Sequence, residues 1–108
     1  MAYDAGLVER VADTLAQLGE RAVRQKNVFG GRGFLAGKST FVIVWEDGLL
    51  VKTPAAEYPA LLQRPGIEPF APGGEAAMGT WLVVPADAVA DDPDLTEWVR
   101  RGLNGIRR

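Results

Sequence analysis

Ser39 to Trp45 most constrains the fold. The run Phe41-Val42-Ile43-Val44-Trp45 is apolar at every position, and Glu46-Asp47-Gly48 separates it from a second apolar run, Leu49-Leu50-Val51. Alternate strand residues face opposite ways, so Phe41, Ile43 and Trp45 are expected on one side and Val42 and Val44 on the other. A strand apolar on both sides must be central and covered on both. Asp47-Gly48 reads as a tight hairpin turn, which makes the following strand its antiparallel neighbour. The chain is therefore built on a sheet, and the remaining segments must cover it.

A first helix can supply part of one cover. Asp4 caps it, Leu7, Val8, Val11, Leu15 and Leu18 recur at helical spacing, and Gly19 sits where a helix ends. Ala22 to Val28 reads as a polar edge strand with Arg24 and Lys26 on one face. Phe29-Gly30-Gly31 predicts a bend or bulge, since glycine alone adopts positive φ cheaply. The strand resumes at Gly33 to Leu35 and turns at Ala36-Gly37-Lys38. A short helix follows Pro54, with Pro59 in its first turn and Tyr58, Leu61 and Leu62 apolar. Residues 65–77 are a loop with a short extended piece at Glu68-Pro69-Phe70, and Met78 to Val84 is a strand. Asp92 caps a last helix with Pro93 at its first position, where Leu95, Trp98, Val99 and Leu103 form the buried stripe. The expected fold is one α+β domain over residues 1–108. It is a two-layer sandwich with an antiparallel sheet of about five strands, helices on one face and the order α-β-β-β-α-β-β-α.

The chemistry-bearing residues exclude more than they suggest. Gly37-Lys38-Ser39 imitates a phosphate-binding loop, but the glycine required five residues before Gly37 is Arg32, and a strand follows instead of a helix. Gly31-Arg32-Gly33-Phe34-Leu35-Ala36 matches a relaxed dinucleotide pattern and again precedes no helix whose amides could receive a pyrophosphate. Histidine and cysteine are absent and Ser39 is the only serine, so no Ser-His or Cys-His pair can form. Asp87, Asp91, Asp92 and Asp94 lack the glycine-centred spacing of a calcium loop. No catalytic residue, metal ligand or cofactor follows from this sequence, and the expectation is a protein that is not an enzyme.

Charge is segregated. The stretch from Arg21 to Trp45 holds five bases and no acid, whereas residues 53–99 hold eight carboxylates and one base. Arg100, Arg101, Arg107 and Arg108 close the chain. Such asymmetry suits a face for an anionic partner or a solvated edge. The N-terminus lacks a secretory signal and no apolar run could span a bilayer, so the cytoplasm is the expected compartment.

The segment Lys26-Asn27-Val28-Phe29-Gly30-Gly31-Arg32-Gly33-Phe34 resembles the N-terminal domain of TfoX/Sxy proteins. So do the apolar strands ending at Lys52, the Pro69-Phe70 pair, the Met78 to Pro85 strand and Asp92 to Trp98. Val28 stands where a methionine is common. The resemblance implies an α+β fold with an antiparallel sheet and no enzymatic activity. It also implies a part in regulating natural competence, alongside the cyclic-AMP receptor protein at promoters. Full-length members carry a second, C-terminal helical domain, so the resemblance is to a stand-alone N-terminal domain.

From these observations we expect a regulatory or protein-interaction module. Its partner, a transcription regulator on the family's pattern, would meet Arg24, Lys26, Phe29, Gly30, Gly31, Arg32, Gly33 and Phe34. A second reading is nucleic-acid binding through the basic 21–38 segment and the C-terminal arginines, with salt-dependent affinity. Open sheet edges are also compatible with a homodimer.

Overall fold

The computed structural model describes residues 3–107. Its elements are α1 (Ala5–Gln17), β1 (Val23–Val28), β2 (Gly31–Ala36), β3 (Ser39–Trp45), β4 (Gly48–Lys52), α2 (Tyr58–Leu61), β5 (Glu68–Pro69), β6 (Trp81–Val84) and α3 (Asp92–Ile106), with a 3-10 turn at Ala86–Val89 before α3. The strands form one antiparallel sheet in the order β1-β2-β3-β4-β6-β5. The α+β class is as expected. The sheet has six strands instead of about five, because Phe29-Gly30 closes a hairpin where a bend was expected. Both residues have positive φ (53° and 78°), the geometry of a two-residue turn whose twist matches its strands. The order is accordingly α-β-β-β-β-α-β-β-α.

β3 is central and covered on both sides, but its alternation breaks. Phe34 pairs with Val42 and Leu35 with Thr40, so Phe41 is skipped. This bulge turns Phe41 to the helical side, against the expected grouping with Ile43 and Trp45. The main core accordingly holds Phe41, Val42 and Val44 with Leu7, Val11, Leu15, Leu95, Trp98 and Val99. A smaller core of Ile43, Leu50, Phe70 and Trp81 fills the opposite face. There the cover is the loop after β5, not a helix.

The β3–β4 turn also differs from expectation. Trp45 pairs with Gly48, leaving Glu46 and Asp47 in the turn. Gly48 is instead the first residue of β4 and lies directly against the Val84 carbonyl, where a side chain would not fit. Asp4 does cap α1, accepting from the Leu7 amide at 3.2 Å. Asp92 does not cap α3. The N-cap is Asp91, and Asp92 receives Arg10 from α1 at 3.1 Å, tying the two long helices together.

Phe70 anchors the second cover. It stacks edge-on with Phe29 (centroids 5.3 Å apart) and Trp45 (5.6 Å), and its amide donates to the Trp81 carbonyl at 3.0 Å. Phe70→Ala is expected to cost about 3 kcal/mol, the low end for a buried phenylalanine because the exposed flank can collapse. Urea unfolding would measure this. Tryptophan emission of the folded state should also shift, since Trp45 loses its ring neighbour.

Candidate functional site

The basic segment becomes the β1–β2 hairpin, and register decides where each side chain goes. Val28 pairs with Gly31 across the two-residue turn, Lys26 with Gly33 and Arg24 with Leu35. Opposed residues share a face, so Arg24, Lys26 and Val28 project to the side opposite the helices. Asn27 pairs with Arg32 and Gln25 with Phe34, which places Arg32 on the helical side. Arg32 donates to the side-chain oxygens of Gln25 and Asn27, each at 3.0 Å. The expected set of eight is therefore divided. Arg24 and Lys26 stand together, Arg32 stands behind them, Phe34 is 1% exposed in the main core, and Gly31 and Gly33 are buried.

Phe29 and Gly30 form the tip. Phe29 is 50% exposed, the one large hydrophobic residue so exposed among the described residues. It also holds a left-handed backbone that asparagine or glycine would adopt at lower cost. On the open face, Arg24, Lys26 and Lys38 surround a depression of about 290 Å³ floored by Leu35. Arg24 donates to the Gly37 carbonyl at 2.8 Å, which lays its side chain along the sheet toward the β2–β3 turn.

The nucleotide-like glycines belong to the sheet and its turns: Gly31 and Gly33 lie within β2. Gly37 has φ 63° in the two-residue turn between Ala36 and Ser39, so the chain passes from strand to strand. Two of the C-terminal arginines have carboxylate partners, and Arg100 is exposed. Arg101 pairs with Glu57 and Glu97 and lies over the Trp98 ring at 4.9 Å, and Arg107 pairs with Glu20 at 2.6 Å. Arg108 lies outside the described residues. A polar cleft of about 460 Å³ lies near the end of α3, with Ser39, Thr40 and Lys52 on its wall. Among the described residues, no group of three or more His, Cys, Asp or Glu side chains could hold a metal ion. No helix among them is long and apolar enough to cross a membrane.

Sequence alternation alone placed Arg24 and Lys26 on one face. It could not place Arg32, because the length of the turn between the strands sets the parity of β2. Also unseen was a small groove of mixed polarity between α1 and β1, lined by Ala12, Leu15, Ala16, Val23 and Phe34 together with Glu20 and Gln25. Its only sequence trace is the pair of small residues Ala12 and Ala16 one turn apart.

A family model described as the TfoX N-terminal domain matches residues 13–106. No curated protein matches the chain.

Proposed function

The chain belongs to the TfoX N-terminal domain family, and on that premise we propose that it is a non-catalytic regulatory module of the cytoplasm. It acts by binding a protein partner, on the family's pattern a transcription regulator. The observation that carries this reading is Phe29: a half-exposed aromatic ring, at a strained turn position, beside the exposed cations of β1. Local physics disfavours phenylalanine there, the Phe70 contact covers only one side of the ring, and residues that violate local preference while staying exposed are expected where a molecule makes contact. The division of the basic residues between two faces, and the carboxylate partners of Arg101 and Arg107, favour a protein partner over a nucleic-acid backbone.

Phe29→Asn tests the reading. Asparagine relieves the turn but loses the edge contact with Phe70, and each effect is worth roughly 1 kcal/mol. Stability should therefore stay within about 1 kcal/mol of wild type in urea unfolding. Capture from native lysate at moderate salt should recover a specific partner with wild type. Recovery should drop sharply with Phe29→Asn and with Arg24→Ala/Lys26→Ala. Equal recovery by all three proteins would remove the hairpin from the interface.

A further inference from the structure

β1 has an unpaired outer side. It ends the sheet, its central residues Arg24, Gln25, Lys26 and Asn27 are all exposed, and no backbone hydrogen bond is directed to that side from another described residue. The two-residue turn makes Val28 and Gly31 a hydrogen-bonded pair, so by alternation Lys26 and Arg24 bond inward to β2. The amides and carbonyls of Gln25 and Asn27 consequently point outward. The opposite edge, β5, is two residues long and contains Pro69, which cannot donate.

Charge selects what this edge accepts. A second copy pairing antiparallel with its helices on the same side would set residues of one face opposite each other. Registers centred on Gln25 or Lys26 then place Arg24 against Lys26, or Lys26 against itself. Directly opposed like charges destabilise such a pair. A strand carrying acids at those positions gains instead. Its intervening side chain, opposite Gln25, would point to the helical face, where Ala12, Leu15, Ala16, Val23 and Phe34 line a groove of about 120 Å³.

We propose that β1 is a docking edge for an extended, antiparallel segment of a partner protein in which two carboxylates flank one aliphatic residue. The acids meet Arg24 and Lys26, the aliphatic side chain enters the groove beside α1, and its backbone exchanges both hydrogen bonds with Gln25. This rests on the protein-interaction reading above and adds the partner's chemistry.

Fluorescence anisotropy with a labelled nonapeptide would test it, the peptide having aspartate-leucine-aspartate at its centre and serine and glycine elsewhere. A second peptide replaces both aspartates with lysine. Wild type should prefer the acidic peptide by at least about tenfold, and Arg24→Glu/Lys26→Glu should reverse the preference. Gln25→Pro removes an outward amide that β2 does not use, so the protein should keep its circular dichroism and melting transition yet bind the acidic peptide at least about tenfold more weakly.

No saturable binding of the acidic peptide, or binding that Gln25→Pro leaves intact, would overturn the proposal. So would a dimer in sedimentation that Gln25→Pro dissolves, since the occupant would then be a second copy. A single-stranded oligonucleotide bound more tightly than the peptide, lost on charge reversal but kept by Gln25→Pro, would likewise overturn it in favour of nucleic acid. Lysate capture that survives Gln25→Pro would leave the interaction module standing and remove only the edge.

Discussion

Replacing Gly102 and Gly105 together by alanine is expected to destabilise the protein by about 4 kcal/mol, although helix propensity alone would stabilise it by about 1 kcal/mol per site. Both glycines lie on the sheet-facing side of α3. A Cβ at Gly102 would sit 2.7 Å from the Phe41 carbonyl oxygen and from Val42 Cγ2. One at Gly105 would overlap the Lys52 carbonyl and lie 3.1 Å from Lys52 Cγ. The carbonyls belong to β3 and β4 in the middle of the sheet, so they cannot swing aside as a side-chain tip could. The helix must lift instead, loosening Leu95, Trp98, Val99 and Leu103 over the core. Overpacking costs roughly 1–3 kcal/mol per site, and contact with carbonyls that cannot move puts both sites at the top of that range, which leaves about 4 kcal/mol after the gain in helix propensity. A domain of this size has about 5–15 kcal/mol in all, so the loss would be plain in urea unfolding. Gly73→Ala is the control: a Cβ there meets nothing within 4 Å, and the change should be under about 1 kcal/mol. A double variant more stable than wild type would mean that α3 does not approach β3 and β4 this closely.

The close approach explains why composition alone could not show how α3 packs. Gly102 and Gly105 look like helix-weakening residues in a sequence, and only the strands beneath give them a reason. Other elements were legible because their signals are local. Asp4, the spacing of Leu7, Val11 and Leu15, and Gly19 at φ 80° define α1 from its own residues. The family resemblance read from Lys26 to Phe34 likewise agrees with the matched span of residues 13–106. Signals failed where a partner decides. Asp92 was expected to cap its own helix and instead meets Arg10 on another. Phe29-Gly30 could bend or reverse the chain, and the pairing of β1 with β2 selects reversal. That same choice sends Arg32 behind Arg24 and Lys26, so the shared face of Arg24 and Lys26 was legible while the place of Arg32 depended on one turn.

Phe41→Ala is expected to cost about 4 kcal/mol, because Phe41 is 0% exposed and sits where the sheet meets α3. Had β3 kept strict alternation, Phe41 would lie with Ile43 and Trp45 on the loop-covered face. The bulge opposite Phe34 and Leu35 puts the ring under Gly102, with its Cδ2 3.3 Å from where a Cβ there would stand. Truncation then opens a cavity beneath a helix that is also held through Leu95 and Val99, so the site can collapse only partly. Phe41→Leu, which keeps most of the volume, should cost less than half as much. The two predictions are coupled. With the Phe41 ring gone, α3 has room to shift, and Gly102→Ala should be at least about 1 kcal/mol less damaging in the Phe41→Ala background than in wild type. Additive losses would place the Gly102 clash wholly on the Phe41 carbonyl and Val42. A small loss from Phe41→Ala itself, near 1 kcal/mol or below, would return Phe41 to the open face and remove the bulge from the account of how β3 is covered.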